Sequence, residues 1–157
     1  MTRESTAARV HDVVVPPEWI DFNGHVNDSR HFQMTSETVD RFMELIGVNE
    51  AYRAGGHSWF TVESHLRFHA QAYLGDHLEG AVQLLQHDGK RLHMWCSVWR
   101  GTALVCSAEH LLLHVDTTTN RVTSMPTDML QRFASVAADQ ASLERPDRIV
   151  LDAFRGR

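Results

Sequence analysis

One change of period constrains this fold most. Between residues 32 and 46, a stripe of Phe32, Thr35, Val39, Phe42, Met43 and Ile46 repeats every three or four positions. That spacing predicts one amphipathic helix over about 29–48. Asn27, Asp28 or Ser29 stands where its cap belongs, and Gly47 where it should stop. After the helix the period shortens. Runs rich in aromatic and β-branched residues predict long strands over 57–70, 77–86, 91–100 and 102–116. Gly75-Asp76, Asp88-Gly89 and Arg100-Gly101 mark the turns between them. A first strand, 8–15, precedes the helix and ends at Pro16-Pro17. A helical stripe of this kind needs a sheet to cover it. One strand, a helix and an antiparallel meander predict an α+β fold, the sheet wrapped around a long central helix.

Some details follow from the same reading. Residues 51–56, "AYRAGG", read as a loop with at most a short helical turn. Residues 126–143 predict a C-terminal helix capped by Thr127 or Asp128; no element is assigned to 144–157. Alternation in "RLHMWCSVWR" places Leu92, Met94, Cys96 and Val98 on one strand face and His93, Trp95, Ser97 and Trp99 on the other. In "HSWFTVES" it groups Trp59, Thr61 and Glu63 against Phe60 and Val62. The 157 residues are read as a single domain, with a core of about 8–126 and a C-terminal helical extension, 127–157.

Composition narrows the partners. Fifteen basic and twenty acidic residues give a net charge of −5, and Lys90 is the only lysine. With no basic run to neutralise phosphates, nucleic acid is not expected as a partner. No apolar stretch approaches the roughly 18 residues of a membrane span, and "MTRESTAARV" lacks the apolar segment of a secretory signal. Cys96 and Cys106 sit in apolar runs and read as buried free thiols, which suits a reducing cytoplasm.

The residues that speak of chemistry are in "WIDFNGHVNDSRHF", Trp19 to Phe32. Asp21 lies several residues ahead of the helix, where it is not needed as a cap. Gly24 suggests a backbone shape that a side chain would block, and His25 lies close to both. The first N–H groups of a helix have no partner within it and can stabilise an oxyanion. A carboxylate across a carbonyl from them can attack it or activate water. That layout suits acyl transfer or hydrolysis; a turn that merely caps the helix is the alternative.

"DFNGHVNDSRHF" resembles the D-x-x-G-H-x-N-x-x-x-Y signature of hotdog-fold acyl-CoA thioesterases of the 4-hydroxybenzoyl-CoA thioesterase type. The order of strand, signature turn, helix and meander agrees over roughly 8–126. "GVNEAYRAGGHSWFTVESHL", "GD" and "HDGKRLH" are similar to the betainyl-CoA thioesterases of carnitine catabolism, which also occur fused to carnitine dehydrogenase. No dinucleotide-binding glycine fingerprint is present here, so a stand-alone thioesterase is expected. The resemblance implies a catalytic carboxylate at Asp21, an orienting histidine at His25 and an oxyanion site from helix-start amides near Asn27 to Arg30. It implies hydrolysis of a small acyl-CoA without a cofactor, in a homodimer or homotetramer. His31 stands where an aromatic is usual, and Asn27-Asp28 replaces a common Asn-Asn pair. A non-catalytic module binding acyl-CoA or a trimethylammonium ligand is the alternative function, and a hotdog dehydratase a third.

Substrate contacts are read from the strands. A carboxylate beside tryptophan suits a quaternary ammonium, the ring face contributing about 0.5–2 kcal/mol. Trp59, Phe60, Glu63 and Trp95 are therefore the candidate substrate residues, although aromatics on strands also simply pack. Glu63 is equally open to an acid/base role beside Asp21. Lys90 and Arg91, after the hairpin turn, suit the phosphates of CoA; a solvated turn is the alternative. His65 and His69, like His110 and His114, are spaced i,i+4. On a strand that is roughly 13 Å, too far for one metal, and no metal is expected. No G-x-S-x-G elbow supports a serine nucleophile.

Overall fold

The computed structural model describes residues 9–152 and Phe154; the predicted strand start at Ala8 and the extension's residues 153 and 155–157 lie outside them. Six strands are formed: β1 (Arg9–Val14), β2 (His57–Phe68), β3 (His77–His87), β4 (Arg91–Arg100), β5 (Ala103–Asp116) and the short β6 (Arg121–Val122). Three helices accompany them: α1 (Asp28–Leu45), α2 (Glu50–Ala54) and α3 (Thr127–Asp139). The sheet is antiparallel, in the order β1-β3-β4-β5-β2, with β6 paired to β5. β2 therefore forms one edge.

α1 covers the inner face. Val39, Phe42 and Met43 pack against Val82, Leu92, Met94, Cys96, Ala108 and Leu112, and α3 adds Met129 and Phe133 to the same cluster. The buried helix face runs through His31, Met34, Thr35, Thr38, Val39, Phe42 and Met43. It differs from the predicted stripe at both ends. Phe32 is 42% exposed, because its side of α1 looks toward the edge strand. Ile46 is the C-cap and only half-buried. Thr38 is buried because helix and sheet touch there. A Cβ on Gly80 of β3 would meet Thr38 Oγ1 and stand 2.7 Å from its Cγ2.

One expectation for the strands is corrected, while the alternation read for β4 holds. The pairing of β2 with β5 shifts between Thr61 and Glu63. This bulge reverses the alternation: Trp59 and Thr61 pair with His114 and Leu112, on the helix side, while Glu63 pairs with Leu111 on the outer side. Trp59 and Glu63 do not share a face. On β4 both faces are buried. The outer side chains His93, Trp95, Ser97 and Trp99 are all covered, and the segment after α3 lies across this side. Its Val150 and Leu151 N–H groups donate to the fully buried Glu109 carboxylate on β5 (2.7 and 3.0 Å), which also meets His93 Nε2 at 3.0 Å. The Glu144 carbonyl accepts from Gln83 Nε2 and the Arg148 carbonyl from Arg67. This segment, unassigned from sequence, is a strap over the back of the sheet.

The cap of α3 is Pro126, with no side-chain hydrogen bond, so Thr127 and Asp128 lie inside the first turn. The helix also ends at Asp139, short of the expected Leu143. α2 fulfils the short helical turn, capped by Asn49.

Candidate active site

Pro16 and Pro17 end β1, and a 3-10 turn, Pro17–Trp19, carries the chain to the loop of interest. Ile20 and Val26 bridge its two sides. Across the loop, Asp21 N–H donates to the His25 carbonyl and Gly24 N–H to the Asp21 carbonyl, both at 3.0 Å. Gly24 holds φ +80°, a conformation that costs an L side chain roughly 1–2 kcal/mol. Val26 N–H then donates to Ala72 O (2.8 Å) and Asn27 N–H to Trp19 O (2.9 Å). These bonds fix the loop against the segment that follows β2.

Asp21 is half-buried. Its Oδ1 accepts the Asn23 N–H at 2.7 Å; its Oδ2 makes no hydrogen bond among the described residues. Asp21 lines a cleft of about 570 Å³ with His25, Asn27, Asp28 and His31 on one side and Phe68 to Gln71 on the other. The start of α1 opens into it. Asn27 is the N-cap, its Oδ1 accepting from Ser29 N–H (3.0 Å) and Ser29 Oγ (2.6 Å).

The row of free amides expected there is shorter than the sequence suggested. Asn27 N–H is held by Trp19 O, Ser29 N–H by the Asn27 and Asp28 side chains, and Arg30 N–H by Asn27 O. Among the described residues, Asp28 N–H is the one of the four without a partner. Strong side-chain capping consumes what a bare helix tip would offer an anion.

The structure adds residues that sequence reasoning missed. His31 is buried, its ring 5.5 Å from that of Phe68; it fills the aromatic position noted in the signature. Burial lowers its pKa, with Asp28 raising it and His25 lowering it further. His69 joins the cleft from the far side, its Nε2 2.8 Å from Ser107 Oγ. Burial, then the charges of Arg67 and Arg148, lower its pKa. Both rings favour the neutral form. Phe68 and His69 come from a segment distant in sequence, where no local pattern marks them; for His31 the departure from the signature was the available signal.

Asp21, His25 and Asn27 are thus brought together, but within one chain the other candidates are not. Trp59 lies on the inner face near the far end of α1, its ring 5.6 Å from that of Phe133. Phe60 and Glu63 are exposed on the outer side of the edge strand, and Trp95 is sealed beneath the strap. Lys90, in the hairpin turn, and Arg91, the first residue of β4, lie at the end of the sheet opposite the cleft. Lys90 is exposed. Arg91 is spent on Asp88, through Nε at 2.8 Å and a second nitrogen at 2.7 Å, and lies over the Phe154 ring.

Neither thiol suits nucleophilic chemistry. Both cysteines are free and buried. Burial and the neighbouring Cys106 hold the Cys96 thiol well above its ordinary range, and burial pushes Cys106 up to about 12. Among the described residues no group of three or more metal-ligating side chains is arranged to hold a metal, and no helix is long and apolar enough to cross a membrane.

Known proteins resemble this chain in sequence and fold. The profile of the thioesterase-like superfamily matches residues 15–133. A betainyl-CoA thioesterase of Pseudomonas aeruginosa is 35% identical over 149 residues, covering 92% of this chain and 93% of its own. An L-carnitine dehydrogenase/betainyl-CoA thioesterase of Rhizobium meliloti is 34% identical over 141 residues, 88% of this chain; the match spans only 28% of that longer protein. Among solved structures, the protein SAV2348 of Staphylococcus aureus in complex with CoA superposes with a TM-score of 0.84 at 23% identity, covering 93% of this chain and 97% of that one.

Proposed function

The chain belongs to the thioesterase-like superfamily, and from that membership we propose that it is a hotdog acyl-CoA thioesterase. It hydrolyses a small acyl-CoA, betainyl-CoA first among them, to the free acid and CoA. The observation that carries this reading is the Asp21 carboxylate, with one oxygen fixed by its own turn and the other bare in a cleft at the tip of α1. The relatives act on betainyl-CoA by name, which supports the choice of acyl group.

The thioester carbonyl sits between Asp21 and the start of α1. Asp21 takes a proton from water as that water adds to the carbonyl carbon, or adds to it directly and is released by water afterwards. The oxyanion meets Asp28 N–H at the positive end of the α1 dipole. The C–S bond then breaks, CoA leaves as the thiolate, and the proton passes to it or to solvent. His25 orients the turn, and Asn27 holds the helix tip in place. Water is the only co-reactant, and no cofactor takes part.

The protein works as a homodimer. β2 is an edge strand of twelve residues, with Phe60, Val62 and Phe68 between 46% and 55% exposed. Such an edge invites pairing with a second copy about a two-fold axis. Antiparallel pairing of the two β2 edges sets the Trp59 end of one copy beside the Phe68 end of the other. Of the residues that one chain scatters, Trp59 is thereby turned toward the partner's cleft, while Phe60 and Glu63 stay on the outer side and Trp95 under the strap; the partner's Lys90 approaches the CoA phosphates. The strap over the outer face disfavours a tetramer stacked back to back. Residues 1–157 act as one domain, since α3 and the strap share its core and sheet. Two buried, unpaired cysteines support the reading of a reducing, cytoplasmic setting.

The test is thiol release from a panel of acyl-CoAs, followed with a chromogenic reagent. Release that Asp21→Asn abolishes in a folded protein supports the enzyme. Binding without release would assign the chain to the non-catalytic alternative.

A further inference from the structure

A second cleft, of about 360 Å³, lies at the other end of α1. Met43, Val48, Leu112 and Trp59 give it an apolar and aromatic lining; Asp40 and Glu44 add two carboxylates. These acids are one helical turn apart and share a face. Neither makes a hydrogen bond or ion pair among the described residues. The cation that also lines the cleft, Arg53, donates to the Val48 carbonyl at 2.9 Å. Burial, then Glu44 and Glu37, raise the pKa of Asp40, and Arg53 offsets them only in part. Negative charge here is under-compensated, beside an indole ring.

We infer that Asp40, Glu44 and Trp59 form a subsite for the quaternary ammonium head of the acyl group, offered by one copy of the chain to the Asp21 cleft of the other. This rests on the dimeric thioesterase reading above. A trimethylammonium group has no N–H to donate, so directional acceptors bring it nothing. It is held by an aromatic face and by nearby charge, and this cleft supplies both. Distance decides that the subsite acts in trans. Asp40 is twelve residues along α1 from Asp28, about 18 Å, whereas the betainyl nitrogen is only two bonds from the carbonyl carbon. But α1 runs antiparallel to β2: its start lines a cleft with Phe68, and its Asp40–Glu44 turn lines one with Ser58 and Trp59. Antiparallel pairing of two β2 edges turns the acid-bearing end of one copy toward the catalytic end of the other.

The test compares kcat/KM for betainyl-CoA with that for 3,3-dimethylbutanoyl-CoA, the uncharged ester of the same shape. Replacing Asp40→Asn with Glu44→Gln together is expected to lower the charged-to-neutral ratio at least about tenfold. Trp59→Leu should lower it too, and Asp40→Glu should retain most of it. An unchanged ratio in the double variant overturns the subsite. Co-expression of the Asp21→Asn chain with the double-variant chain tests the trans arrangement. Each hybrid dimer then holds one intact composite site, and betainyl-CoA turnover should exceed that of either parent; no recovery overturns that arrangement. Should the unaltered protein cleave neither ester, the enzyme reading fails on its own. Calorimetric titration with tetramethylammonium then decides the subsite: binding lost in the double variant supports it, and equal or absent binding overturns it.

Discussion

Asp21 shows how one residue's chemistry depends on the backbone around it. Its carboxylate is held by Asn23 N–H at 2.7 Å, so Asp21→Asn keeps the shape of the side chain while removing its capacity to attack or to take a proton. We expect kcat/KM for the preferred acyl-CoA to fall about 10²–10⁴-fold, with circular dichroism unchanged. Gly80 makes a different demand. A methyl group there collides with Thr38, whose Oγ1 already donates to Met34 O at 2.7 Å. Gly80→Ala should cost roughly 1–3 kcal/mol in urea denaturation, because overpacking a helix–sheet contact forces the two apart. Asp21, His25 and Asn27 were legible in the sequence because they share one turn, where spacing and residue type speak together. His69 was not, since nothing local to "FHAQ" says that this segment faces residue 21.

At the scale of elements, the period of each segment was readable, but its second face was not. β4 matches its predicted limits of 91–100, and α1 begins one residue early. The bulge in β2 has no glycine or proline to announce it; it arises where a long edge strand meets β5, and it moves Glu63 to the side away from Trp59. The strap was illegible for a related reason. Its most deeply buried anchor is the carboxylate on β5, and a lone Glu109 in an apolar run carries no information about what will reach it. Glu109→Ala removes the acceptor of the Val150 and Leu151 N–H groups and of His93, at about 1–3 kcal/mol for each group left buried and unpaired, Leu151 N–H and His93 among them. We expect faster trypsin cleavage after Arg148, detected by mass spectrometry, with the sheet still folded.

The whole molecule carries a pH signature. Burial pushes His110 down to about 4, and His31, His69, His93 and His114 are lowered in the same direction. Each ring resists a proton in the folded chain that the unfolded chain accepts near pH 6.5. The unfolded state therefore binds more protons in that window. Stability is complete above about pH 6.5 and drains as pH falls toward 4, with His110 alone worth about 3 kcal/mol at the lower end. Denaturant midpoints measured from pH 7 to pH 4.5 should fall steadily, and His110→Asn should flatten the slope. The proposed dimer has its own test at this scale. Val62→Lys places a charge on the exposed β2 edge, and light scattering after gel filtration should then report a monomer that has lost thiol release.

Cys96 and Cys106 sit on the inner face with thiols that stay protonated and out of reach. A colorimetric sulfhydryl probe added to the intact enzyme will consequently count liberated CoA alone. The same cuvette also serves as a conformational alarm. Any fraction that loses its shape contributes two further equivalents per chain, arriving without substrate and on the timescale of unfolding, so turnover and collapse can be told apart from the blank.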